Sequence, residues 1–170
     1  SDMFFTVLPP MLRGLIGQPM EDYLRDSLYR PLGAYTMGFN PWRTYSLKRI
    51  VPTERDTFFR MSLLHGRVHD EGAALLGGVS GHAGLFASTN DLAKLMQLYL
   101  QGGVYGQDTL IAPAALAEFT RCQFAAQGNH RGLGFDKPFL TYDPARSMPA
   151  RDASAASFGH SGYTGTFTWA

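Results

Sequence analysis

The sequence predicts an α+β fold, on three observations. Apolar residues recur at helical spacing through the first two thirds of the chain, strand-like alternation is confined to its end, and no stretch alternates strand with helix as a parallel sheet requires. The helical part is expected over about residues 1–127 and the sheet-forming part over about 128–170.

Met3 to Ile16 is rich in apolar residues at helical spacing, but Pro9 and Pro10 remove two backbone donors, so two short helices with a break near Pro9 are expected. Met20 to Leu28 puts Met20, Tyr23, Leu24, Ser27 and Leu28 on one face and Glu21, Asp22, Arg25 and Asp26 on the other. That is an amphipathic helix, ended by Pro31 and Gly33. From Ala34 to Thr57 the pattern dissolves into turn residues and aromatics, which predicts a long ordered loop. Ser88-Thr89-Asn90-Asp91 is the clearest helix start: Ser88 can cap free N–H groups and Asp91 completes a capping box. The helix it opens carries Leu92, Leu95, Met96, Tyr99 and Leu100 on its apolar face and stops at Gly102-Gly103. Pro113 to Cys122 reads as a further helix with proline in its first turn. Gly132-Leu133-Gly134-Phe135 and Phe158 to Ala170 read as strands, Phe167 and Trp169 alternating with Thr166 and Thr168.

With 170 residues the chain has the length of one domain or a piece of one, and 45% hydrophobic with 17% charged residues is the balance of a folding chain, not a disordered one. A formal net charge of +1 supplies no global field for nucleic acid or an anionic membrane, so neither is an expected partner. The single Cys122 cannot form an internal disulfide and reads as a packed helix residue. No signal-peptide pattern is visible, which is compatible with one having been removed, and the apolar stretch from Met3 to Leu12 is too short to span a bilayer.

Serine catalysis needs a base within hydrogen-bond reach and donors for the oxyanion. Neither G-x-S-x-G nor S-x-x-K occurs; Ser27 is followed at the second spacing by Arg30, which cannot give up its proton. His65 and His69 have the i, i+4 spacing of zinc ligands, with Asp70, Glu71 and His82 nearby, but Gly66 lies between them and the helix such a site needs is absent from the pattern. They read as loop-bracing histidines, and neither a metal nor a cofactor is implied. Trp42, Arg43, Tyr45, Lys48 and Arg49 mix basic and aromatic residues as single-strand binders do, yet the neutral balance of the chain favours a solvated loop. Two glycine-rich segments remain, Gly77 to Gly84 and Gly159 to Gly165, whose composition serves a binding site and a tight turn equally.

These residues resemble the serine β-lactamase and penicillin-binding-protein superfamily, on the side of the class C enzymes and their esterase relatives. Gly159-His160-Ser161-Gly162 is similar to its Lys-Thr-Gly motif in a His-x-Gly form, and Leu85 to Ala93 to the loop and capped helix beside the active site. Ser1-Asp2 is similar to the end of the Tyr-x-Asn motif; a second frame takes Ser1-Asp2-Met3 as a degraded S-D-N element. Val68 to Glu71 and Gly132 to Pro138 look like members fused behind bacterial glycoside hydrolases, so such an N-terminal domain is a possible partner in the parent protein.

The resemblance implies a β-lactamase/DD-peptidase-like fold, of which this chain is a fragment comprising mostly the helical region with a few antiparallel strands of the central sheet. It implies acyl transfer by a serine on an ester, a cell-wall peptide or a β-lactam, in a periplasmic or otherwise extracytoplasmic setting. Carried over by position, Asp2 replaces the asparagine that touches the substrate amide, His160 replaces the motif lysine, and the Tyr163 N–H is one oxyanion donor. Ser1, Ser161, Gly162, His82 and Ala83 are the substrate-binding candidates. The helix that carries S-x-x-K would precede Ser1, so the chain alone is expected to be inactive and to rely on missing segments of the parent domain or on another copy. The alternative is a non-catalytic module that keeps the pocket for binding or positioning peptidoglycan.

Overall fold

The computed structural model describes residues 2–145 and 150–170, which form two compact units, one running to Leu92 and the other from Ala93 to Ala170. The first unit opens with α1 (Asp2–Ile16), continuous through both prolines where the sequence predicts a break. Pro9 has no N–H to offer the Phe5 carbonyl, and the Gly81 N–H fills that place from another segment at 3.1 Å. A tertiary donor thus replaces the lost helical one, a substitution no local pattern can announce. The approach leaves no room for a side chain: a Cβ at position 81 would stand 2.7 Å from the same oxygen. Gly81→Ala should therefore cost about 1–3 kcal/mol, read as a lower urea midpoint; an unchanged midpoint would show that α1 tolerates its prolines without this bond.

After α2 (Met20–Leu24) the amphipathic segment continues as a π-helical turn, Arg25–Tyr29, with the Arg30 N–H reaching back five residues to the Arg25 carbonyl at 2.9 Å. Its inner face buries Met20 and Tyr29, which join Leu32, Ala34, Met37, Leu64, Val68 and Ala73 in the core of this unit. The stretch expected to be one long loop instead carries β1 (Gly38–Phe39), 3-10 turns at Pro41–Arg43 and Leu47–Arg49, and β2 (Pro52–Asp56), which pairs antiparallel with β3 (Ser62–His65). β2 reads Pro-Thr-Glu-Arg-Asp, a strand without apolar alternation because only Asp56 is buried, so periodicity could not reveal it.

Asp56 organises the β2–β3 turn. Its carboxylate accepts the N–H groups of Phe58, Phe59 and Arg60 at 2.9, 2.8 and 2.9 Å and Arg60 Nε at 2.7 Å. Arg60 goes on to donate to the carbonyls of Val68 and His69, fastening the hairpin to the chain ahead of α3 (Glu71–Leu75). β4 (Leu85–Phe86) returns to pair with β1.

α4 (Thr89–Leu100) starts where the sequence predicts, with Ser88 Oγ accepting the Asp91 N–H at 3.3 Å, but the expected capping box does not close, because the Ser88 N–H donates to Thr36 Oγ1 at 3.0 Å instead. The buried Asp91 carboxylate takes the N–H and hydroxyl of Thr36, both at 2.7 Å.

In the second unit Leu95, Leu98 and Leu116 are buried. The hairpin of β5 (Val104–Tyr105) and β6 (Asp108–Thr109) precedes α5 (Pro113–Thr120), which begins at its proline and ends short of the expected Cys122, Arg121 being extended. Gly132 to Phe135 is not the expected strand: the Gly132 N–H closes a turn on the Phe135 carbonyl at 3.0 Å. That turn delivers the Phe135 ring to Tyr99 and Phe158, centroids 5.7 and 5.2 Å away, and burial pushes the Tyr99 hydroxyl pKa up. The chain ends in the antiparallel pair β7 (Gly159–Ser161) and β8 (Phe167–Trp169). The fold is α+β, with four antiparallel strand pairs among the described residues, and no described helix is long and apolar enough to cross a membrane.

Candidate functional site

Phe158 to Ala170, expected as strand, folds as a hairpin about Gly162 to Thr166. Its register sets Gly159 against Trp169, His160 against Thr168 and Ser161 against Phe167, and the turn closes through the Gly162 N–H on the Thr166 carbonyl at 2.7 Å. Gly159 is paired on its other side as well, exchanging bonds of 2.8 and 3.0 Å with Asp136. Alternation along β7 then sends His160 to the face opposite Gly159 and Ser161. His160 is exposed, and its Nδ1 donates to the Ser161 carbonyl at 2.7 Å. A carbonyl only accepts, so Nδ1 carries a hydrogen, and in the neutral ring that puts the lone pair on Nε2, available to accept a hydrogen bond from a bound molecule.

Ser161 and Gly162 are exposed beside it, and Tyr163, at the turn, is 92% exposed. Lys137 holds the approach to β7 by donating to the carbonyls of Ala156 and Ser157 at 3.2 and 3.1 Å, and burial pushes its pKa down. His160, Ser161, Gly162 and Tyr163 are thus brought onto one hairpin of the second unit.

The remaining predicted residues belong to the first unit. Asp2 is exposed at the start of α1, its carbonyl accepting the Thr6 hydroxyl at 2.9 Å; Ser1 lies outside the described residues. His82 and the half-buried Ala83 follow Gly81, whose bond to Phe5 sets their loop against the first turns of α1.

His82 stands between two oxygens, Nε2 3.0 Å from Asp70 Oδ1 and Nδ1 2.9 Å from Ser80 Oγ. An ionised Asp70 only accepts, so Nε2 carries the hydrogen and Nδ1 accepts from the Ser80 hydroxyl. The order Ser80–His82–Asp70 is that of a nucleophile, a base and its orienting carboxylate. Ser80, however, is only 3% exposed and the His82 side chain 11%, so the chain of bonds braces the loop. Asp70 also caps α3 through the Ala73 N–H at 2.6 Å. Burial alone would raise its pKa, but the Ala73 N–H and His82 outweigh that and hold the carboxyl below its ordinary range. Sequence reasoning missed this relay, because twelve positions separate Asp70 from His82 and no spacing rule links them.

His65 and His69 do not share a helix. His65 ends β3 and donates Nε2 to the Ile50 carbonyl at 2.6 Å, while His69 Nε2 lies 3.0 Å from Glu54 Oε2. Among the described residues no group of three or more His, Cys, Asp or Glu could hold a metal ion.

The family model described as Beta-lactamase matches residues 1–170. Curated proteins named "Putative D-alanyl-D-alanine carboxypeptidase" are similar over 99% of this chain: one from Escherichia coli strain K12 at 38% identity, one from Escherichia coli O157:H7 at 36% and one from Salmonella enteritidis PT4 at 35%. The chain covers 41% of each of those proteins, about two fifths of their length.

Proposed function

The chain belongs to the beta-lactamase family, and from that membership we propose that it forms part of a serine hydrolase that cleaves a cell-wall peptide ending in D-alanyl-D-alanine. The observation that carries the reading is the similarity of nearly the whole chain to proteins bearing the carboxypeptidase name. No S-x-x-K occurs in these residues, so the reading places the attacking serine in sequence outside them and the working enzyme in an extracytoplasmic compartment, on the class C and esterase side of the family. The serine oxygen bonds to the peptide carbonyl carbon, the C–N bond breaks, and the terminal D-alanine leaves with a proton on its amine. Water then attacks the acyl-enzyme and frees the shortened peptide.

In this scheme His160 meets the substrate from β7, its Nε2 standing in for the motif lysine, and the Tyr163 N–H is one oxyanion donor. Ser161 and Gly162 run beside the bound peptide, Asp2 contacts its amide, and Ser1 is a further substrate-binding candidate. His82 and Ala83 belong to the pocket-lining loop, whose shape His82 holds through Ser80 and Asp70.

The test compares a longer protein containing these residues with the 170-residue chain, using release of D-alanine from an N-acylated peptide ending in D-Ala-D-Ala. The longer protein should release D-alanine, about a hundredfold more slowly after His160→Ala, and the chain alone should match the blank. Turnover by the chain alone would refute a serine supplied from outside. Peptide binding without turnover by the longer protein would favour a binding and positioning module.

A further inference from the structure

The first unit holds a recess that none of this chemistry uses. Trp42 sits on the Pro41–Arg43 turn with the Arg43 guanidinium 5.2 Å from its ring centroid and that of Arg67, two residues beyond β3, at 4.3 Å. With Asn40, Gly77 and Gly78 these side chains line a cavity of about 170 Å³. The third arginine of the wall, Arg60, is committed to Asp56 and to the carbonyls of Val68 and His69. Of the nearby carboxylates, Asp56 is spent on Arg60 and its own turn, and Glu54 lies against His69. Arg43 and Arg67 therefore have no carboxylate within ion-pair reach among the described residues.

Both guanidinium groups lie within cation–π distance of one indole and line the same recess. An anion entering it would meet two positive charges with no competing carboxylate, and guanidinium forks match the paired oxygens of a carboxylate or phosphate. We infer that this recess is an oxyanion site, binding a carboxylate or phosphate group through Arg43 and Arg67. The inference stands apart from the hydrolase reading, since it uses neither His160 nor the hairpin that carries it.

The test follows the Trp42 indole N–H signal of the full chain by NMR, assigned with Trp42→Phe, during separate titrations with inorganic phosphate and with glutarate. A saturable shift with Kd of about 1 mM or tighter is expected for at least one of them. It should weaken about tenfold in Arg43→Gln and in Arg67→Gln and fade as sodium chloride is added. Both substitutions are at exposed positions and should leave the spectrum elsewhere unchanged. Response to phosphate alone, to glutarate alone or to both identifies the ligand class and supports the site. No saturable shift with either probe, or shifts of equal affinity in the two variants, would overturn it.

Discussion

Gly159→Val should abolish the β7–β8 hairpin and with it the presentation of His160. A Cβ at position 159 would stand 2.1 Å from the Thr168 carbonyl oxygen and 2.7 Å from the Trp169 ring, and the first of these neighbours is backbone that cannot swing aside. Retreat to the other side is closed, because Gly159 also exchanges two hydrogen bonds with Asp136. The substitution must break one of the two pairings, at a cost of about 3 kcal/mol or more. Cross-strand NOEs between positions 160 and 168 should vanish, and D-alanine release by the longer protein should fall to the blank. Ser161→Ala, exposed on the same strand, serves as the control and should leave the hairpin intact. Retained NOEs in the valine variant would show that β7 has room the geometry denies it.

The parts of the fold legible in the sequence are those whose bonding is local. Ser88 lies three residues before the N–H it caps, and Pro113 stands in the first turn of α5 because that turn needs no donor from it. Where a distant segment completes the bonding, periodicity misled. Pro9 breaks no helix once Gly81 supplies a donor, and the turn at Gly132, closed locally on Phe135, is held in place by the Leu133 N–H on the distant Phe119 carbonyl and by the Phe135 ring against Tyr99 and Phe158. Two-residue strands such as β1 and β4 are too short to display alternation at all.

The candidate site divides in the same way. The glycines around His160 announce a tight turn and a close approach, and the structure contains both; what the histidine does there rests on family resemblance. The Asp70–His82–Ser80 relay needs the fold to exist before it can be seen.

Acid should act on this protein first through Asp56. Its carboxyl is held far below the ordinary range, chiefly by the Phe59 N–H and then by the Arg60 guanidinium, both acting against burial. An unfolded chain takes up a proton at this residue near an ordinary pKa of about 4, while the folded chain refuses it until much lower pH. The stabilisation is therefore complete above the ordinary range and drains away as pH falls below it. Asp70, shifted in the same direction, adds to the slope.

Asp56→Asn removes the charge at every pH and turns two of its own N–H donors toward a cluster that already consists of donors. Arg60, whose side chain is only 18% exposed, then loses its close ionic partner at 2.7 Å and keeps only the longer pair with Glu54 at 3.8 Å. The urea midpoint at neutral pH should drop by roughly 1 M, and the midpoint should depend less on pH between about 5 and 3 than in the unsubstituted chain. Because Arg60 ties the hairpin to the Val68 and His69 carbonyls, amide exchange should quicken at positions 57–70 before it does in α2. Equal slopes for the two proteins in acid would move the titrating group elsewhere, and Asp56 would then be holding its turn by hydrogen bonds that do not need its charge.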